Sequence, residues 1–435
     1  MLSPIPKISR YRRIVAIGPR HSGKSVLLAS VLDHLRKDPG NFLGSGDRWI
    51  RHGVESCPGN LPPISLDRIL REAAEEALWP EITVSPSALR FRATHEKPWK
   101  RDLVLDFIDF PGEAVADFLG GASYDDWSEA VFAHFPDPRD PGSVEGLRAY
   151  RAALSEAPDG TGTEALAARF ADLMVEATRR GRYLTTPSVL CSRVFDDAPA
   201  DRRADFAPVP REAAPRLPRT RAEFARRFAD YRRDQVLPLE RLLADADALV
   251  LPIDVGWILA GGPSVLRDQH ALLTAVGALL ERIDSVWSRL GSFLGRSLTP
   301  LDDSLFPGRL RSVVLCATKI DLFRPPDRSL LADLIRRLAE PVLRGGGAHG
   351  LRVLNTACAA VRSSTDVPGG EGRIRGYRNG EPVEVLPPAL PERWPDRWDP
   401  SDFRFPRLDP RVSRNGLYPP AHIHLDRILR SVIEA

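Results

Sequence analysis

Residues 12–17, RRIVAI, form a β-branched apolar run that leads directly into GPRHSGKS (18–25), and from Lys24 onward KSVLLASVLDHL takes helical spacing. This order constrains the chain more than any other feature. G-x-x-x-x-G-K-[ST] between a buried strand and a helix start is a phosphate-cradling turn, because glycines let successive backbone N–H groups curl around an anion. The expected contacts run from Gly18 through His21, Ser22, Gly23, Lys24 and Ser25 to Val26. Lys24 supplies a point charge, and the Ser25 hydroxyl is placed to ligate Mg²⁺.

Composition narrows the classes. At 435 residues the chain is one large domain with insertions or two domains. With 61 basic against 58 acidic residues the net charge is only +3, which gives no bulk electrostatic case for nucleic acid. Cys57, Cys191, Cys316 and Cys358 are far apart and form no C-x-x-C pair, as expected of reduced structural thiols in a cytoplasmic protein. The opening MLSPIPKISRYRR lacks the apolar centre of a signal peptide. The most apolar stretch, 248–262, is short and holds Pro252 and Asp254, so no transmembrane segment is expected.

Along the chain, 37–47 reads as loop and 64–78 as an amphipathic helix. Residues 87–94 and 101–110 read as an antiparallel strand pair. Helical runs at 145–154, 163–181 and 221–246 flank a Pro/Arg/Ala stretch, 196–221, whose composition predicts a mobile linker. Strand and helix then alternate: strands at 247–255, 310–321 and 351–361, helices at 265–290 and 328–343. That rhythm predicts an α/β fold, a parallel sheet covered by helices on both faces. A hairpin at 374–386 and a terminal helix within 419–435 close the chain. The expected division is a core of 1–113 and 241–362, a helical insertion at 114–240, and a C-terminal part, 363–435, packed on the core.

Three further segments sit at the ends of expected strands. DFPG (109–112) places Asp109 to hold the Mg²⁺ water shell and Gly112 to bring its N–H to the γ-phosphate. ATKID (317–321) places Asp321 to accept the N1 and N2 hydrogens of guanine, with Lys319 stacked along the base and Thr318 where Asn is more frequent. NTACAA (355–360) offers small residues, Ala357 and Cys358 among them, whose backbone N–H can meet the guanine O6. Ligands of open α/β sheets bind at the carboxyl ends of the strands, so four such loops in this order predict a guanine-nucleotide site with GTP or GDP and Mg²⁺. No motif marks a first-switch residue, although Thr94 and Ser45 fall in the right interval. HIH (422–424), read as part of one helix, does not put its histidines on one face, and the tryptophans of RWPDRW (393–398) read as packing.

With these residues the chain resembles the YcjX-like P-loop NTPase family of predicted bacterial GTPase-like proteins. The resemblance is carried by GPRHSGKS, DFIDFPGE, YRRDQVLPLERLLADADALVLPIDV, VLCATKID and the closing HIHLDRIL. It implies a GTPase-like core with a large helical insertion and nucleotide hydrolysis; an unidentified protein partner is expected to bind through that insertion. Glu113 stands where small GTPases carry a water-orienting Gln, and an ionised Glu only accepts hydrogen bonds. Arg20 either stabilises transition-state charge from within the chain, pairs with Glu113 in a resting salt bridge, or points to solvent. The reading that follows is a slow GTPase acting as a switch. The alternatives are an ATP-using P-loop kinase or transferase, and a nucleotide-stabilised interaction module with vestigial hydrolysis.

Overall fold

The computed structural model describes residues 9–19, 22–44, 48–57, 61–76, 85–97, 99–112, 114, 117, 123–138, 140–180, 206–294, 310–346, 351–413 and 417–434. Among these residues, seven strands form one sheet in the order β2-β3-β4-β1-β5-β6-β7. They are β1 (Ser9–Ala16), β2 (Trp49–Ser56), β3 (Ser87–His95), β4 (Asp102–Asp109), β5 (Ala248–Ile253), β6 (Ser312–Ala317) and β7 (Arg352–Ala357). β4, β1, β5, β6 and β7 run parallel, while β3 pairs antiparallel with both β4 and the edge strand β2. β5 and β6 are buried at every residue, which is why they read as unbroken apolar runs rather than as alternation.

Helices α1 (Lys24–Lys37), α2 (Pro39–Leu43) and α3 (Leu66–Glu75) follow the first two strands. Leu27, Leu28, Val31, Leu32 and Leu35 of α1 share one apolar cluster with Phe91, Leu105 and Phe107 of the sheet and with Ile428, Leu429 and Val432 of the helix Leu425–Glu434. The helix Leu330–Leu338 packs on β6 and β7 through buried Leu331, Leu334, Ile335 and Leu338. The fold is mixed α/β, with a central, mostly parallel sheet flanked by helices.

The chain divides into two compact units, residues 1–112, 244–260 and 281–435 in one, 113–243 and 261–280 in the other. Of the long helix Pro263–Leu294, residues 263–280 fall in the second unit and 281–294 in the first. The second unit contains α4 (Tyr124–His134), α5 (Pro141–Glu156), α6 (Thr163–Arg179) and the helix Pro218–Tyr231 around an aromatic cluster. Trp127 lies 5.2 Å, ring centroid to centroid, from both Phe206 and Phe228.

Several expectations need correction. The linker expected over 196–221 joins the core at residues 206–210 and at Leu217: Phe206, Ala207, Val209 and Leu217 are buried, and the carbonyls of Ala207, Pro208 and Val209 accept from Tyr124, Tyr150 and Ser128. Prolines remove donors that burial would leave unpaired, so a Pro-rich strand can be buried where its carbonyls find hydroxyls. Residues 196–205 lie outside the described residues. The loop expected at 37–47 contains α2, whose Asp38 side chain accepts from Asn41 N. β2 was not anticipated: WIRHGVES has little apolar alternation, and its pairing with β3 as an edge strand supplies the order. The Asn379-Gly380 hairpin is as expected, both residues having positive φ.

Candidate functional site

The glycine-rich turn leaves β1 at Ala16 and enters α1 at Lys24, with Gly23 in the left-handed region at φ 87°. A neighbouring strand end meets it. Ser25 Oγ donates to Asp109 Oδ2 at 2.5 Å, and Phe110 N donates to Ala16 O at 3.1 Å. Gly112 stands so close that a Cβ there would fall 2.4 Å from Gly18 O and 2.9 Å from Lys24 Nζ. Lys24 is buried, its ammonium donating to the carbonyls of Gly18 (3.0 Å) and Pro19 (2.9 Å). Ser22 Oγ is fully buried with no hydrogen-bond partner among the described residues. On the other side, a Cβ at Gly18 would meet Pro252 O of β5 at 2.8 Å. The loops after β1 and β4 thus form one structure, backed by β5. Val26 lies on α1, half-buried.

The second group of predicted residues gathers at the ends of β5, β6 and β7. Thr318 N donates to Ile253 O, Cys358 N to Ala317 O, and Ile320 N to Cys358 O, so these loops are laced by backbone bonds. Lys319 takes φ 59°, and its ammonium lies 2.6 Å from Asp254 Oδ2, while Asp254 Oδ1 accepts from Trp257 N and so caps the helix Val255–Gly261. Asp321 is only 1% exposed, and its Oδ2 accepts from the backbone N–H of both Ser363 (2.7 Å) and Ser364 (3.1 Å). Burial pushes its carboxyl above the ordinary range, against the two N–H groups that pull it down.

Asp254, Ser363 and Ser364 were missed by sequence reasoning. Asp254 directly follows an apolar strand and stands three residues before Trp257, a signal for an N-cap; Ser363-Ser364 carries none. The closing segment was missed too. Ile423 and Ala359 exchange backbone hydrogen bonds, and His424 Nδ1 lies 3.0 Å from Ala357 O, so residues 422–424 are stapled to the 355–360 loop and lie outside the helix expected to hold them.

Other residues part from the site. Thr94 pairs with Arg51 near the end of β3 next to His95, at the opposite end of the sheet from the loops above, so it does not serve as a first-switch residue. Arg20, His21, Glu113, Cys191 and Ser45 lie outside the described residues. Cys57, Cys316 and Cys358 are free thiols, and Cys316 of β6 lies buried beside Cys358, the residue after β7. Trp394 and Trp398 donate their indole N–H groups to Leu334 O and Leu259 O, as packing residues should.

The profile of the YcjX-like family, DUF463, matches residues 13–435. The chain belongs to the YcjX-like family. No curated protein matches it. Among solved structures it is similar to the signal recognition particle receptor SRb-GTP/SRX complex from Chaetomium thermophilum, at 14% identity over 82% of this chain and 96% of that one, with a TM-score of 0.29. That score is too low to bear on the site. Among the described residues, no helix is long and apolar enough to cross a membrane.

Proposed function

We propose that this YcjX-like chain is a Mg²⁺-dependent P-loop nucleoside triphosphatase that binds GTP, hydrolyses it slowly and acts as a switch on a protein partner through its helical unit. The observation that carries the reading is the junction of Ser25 with Asp109 and of Gly112 with Gly18. Phosphate-loop and D-x-x-G motifs, 84 residues apart in sequence at Ser25 and Asp109, meet as a phosphate site needs.

The residues fit a phosphate and its cation. Among the described residues Ser22 Oγ is a buried hydroxyl without a hydrogen-bond partner, and a Cβ at Gly23 would meet nothing within 4 Å. Ser25 and Asp109 would hold Mg²⁺, which when bound neutralises phosphate charge and orders the oxygens in the transition state. Lys24 now spends its donors on two loop carbonyls, and phosphate oxygens are the stronger, charged acceptors for the same ammonium. Gly112 N–H is the donor for the γ-phosphate.

For the base, two backbone donors on Oδ2 fix the Asp321 carboxylate that would accept from guanine N–H groups. A base without those donors would leave a buried carboxylate oxygen unpaired, the condition that yields large discrimination. Asp254 fixes Lys319 beside it.

The test is calorimetric titration of purified protein with Mg²⁺ and GTP, GDP or ATP, followed by phosphate release. Guanine-selective binding is expected, with turnover on the order of 10⁻⁴ to 10⁻² s⁻¹, as for GTPases without an activating partner. Asp321→Asn should move the preference from GTP to xanthosine triphosphate. ATP preference, or equal affinity for all, would overturn the guanine reading and leave a phosphate-binding loop alone.

A further inference from the structure

The end of the sheet opposite the nucleotide loops has its own chemistry. β3 runs antiparallel to β4, so the turn joining them, of which residues 96–97 and 99–101 are described, lies a strand's length, about 25 Å, from Asp109. Its sequence is EKPWKR. Trp99 is 78% exposed there, and Ile50, the extra residue of a bulge at the start of the adjoining β2, is 60% exposed. Such exposure is unusual for tryptophan, whose large apolar face is ordinarily covered. Around this pair stand Arg48, Arg51, Lys97, Lys100 and Arg101, all exposed, with Glu96 the exposed acid among them.

The turn is built rather than loose. Lys100 N donates to Lys97 O, Lys97 N to the His95 ring Nδ1, and His95 N to Asp102 Oδ1. Glu96 N donates to Arg48 O, tying the turn to the β2 start, and the Trp49 ring meets His95 edge-on at 5.3 Å. An exposed indole and an exposed isoleucine therefore share this sheet end with five exposed cations.

We infer that this sheet end is a membrane-docking surface for anionic lipid. Tryptophan with Lys and Arg beside it is the composition that settles at the headgroup level, where the indole has an apolar body and a polar N–H to satisfy. Single-stranded nucleic acid asks for a basic groove with stacking faces, whereas here the apolar side chains project from a turn. The nucleotide loops, at the far ends of the parallel strands, stay clear of a bilayer met in this way. This inference stands apart from the proposed nucleotide chemistry.

The test is flotation of the full chain with vesicles of phosphatidylcholine, alone and mixed with phosphatidylglycerol. Binding to the anionic vesicles only is expected. Trp99→Ala should weaken it about ten-fold, and neutralising Lys97 and Lys100 to Gln about five-fold each, more at low salt than at high. Unchanged thermal unfolding would show that the variants fold. Three results would overturn the inference: no preference for anionic vesicles, equal binding by Trp99→Ala, or tighter binding to a labelled oligonucleotide than to vesicles. Self-association that Trp99→Ala abolishes, without vesicle binding, would assign the patch to a second copy instead.

Discussion

Gly112 shows how much one residue can carry. Its Cα hydrogens face the backbone of Gly18 and Pro19 and the Lys24 ammonium, and a methyl group would sit 2.4 Å from the Gly18 carbonyl oxygen. That neighbour is backbone of a short strand-to-helix turn, so relief requires moving the loop itself. Gly112→Ala should therefore weaken Mg²⁺–GTP binding at least ten-fold while leaving the melting temperature within a few degrees, since surroundings other than the loop are untouched. Titration with a fluorescent guanine nucleotide measures this; undiminished affinity would show that the junction of the two loops is irrelevant to phosphate binding. The glycine was legible in the sequence as the last letter of D-x-x-G, as were Ser25 and Asp109. Its contact with Gly18 was not, because a motif names roles and only the parallel pairing of β1 with β4 brings the loops together. For the same reason Asp254 and Ser363 escaped notice: they act on Lys319 and Asp321 across the sheet, at no fixed sequence spacing.

Among the elements, the contrast between β6 and the closing segment is instructive. SVVLCA announces a buried parallel strand by composition alone, since both its faces are covered. HIH looks like the beginning of a helix, yet its backbone is drawn into a bridge with Ala359, and the helix starts only at Leu425. That choice is tertiary. It places His422 against α1 and α2, where its ring meets His34 edge-on at 4.6 Å and Phe42 at 5.5 Å, while His34 stacks on Phe42. Burial pushes His422 down to about 4, with the charges of His34 and His424 adding to this and Asp426 opposing it; burial lowers His34 as well, against its bond to Pro420 O and the nearby Asp33. An unfolded histidine titrates near 6.5. Between that value and about 4, the unfolded chain binds protons that folded His422 does not, so stability is full above pH 6.5 and falls as the pH drops to 4. Solvent reaching the half-open ring holds the His422 share to about 1–2 kcal/mol. Urea unfolding at pH 7 and pH 4.5 should show the loss, and His422→Asn should flatten it; the same pH slope in the variant would remove His422 as its source.

At the scale of the whole molecule, each unit has its own apolar cluster, one centred on α1, β4 and the terminal helix, the other on Trp127, Phe170, Phe206 and Phe228. Alternating strands and helices made the first legible from residue 247 onward. The second was harder to read, because its core borrows Phe206 and Val209 from a proline-rich stretch whose composition argues for linker. Two self-sufficient cores sharpen the question of what nucleotide does. A ligand that binds only the first unit stabilises that unit by about 2.7 kcal/mol at a hundred-fold excess over its dissociation constant, whatever the state of the phosphate. A switch requires more: the second unit must distinguish GTP from GDP, since a ligand shifts an equilibrium only by its differential affinity for the two states. Hydrogen exchange with Mg²⁺ and a non-hydrolysable GTP analogue, compared with GDP, separates these cases. The switch reading expects protection of the peptides covering α4 and the helix Pro218–Tyr231 to differ between the two nucleotides, by several-fold in exchange rate. Identical exchange there, with both nucleotides protecting the turn at Gly18–Ser25, would instead make nucleotide a fixture of the first unit, and the helical unit a binding module that hydrolysis does not address.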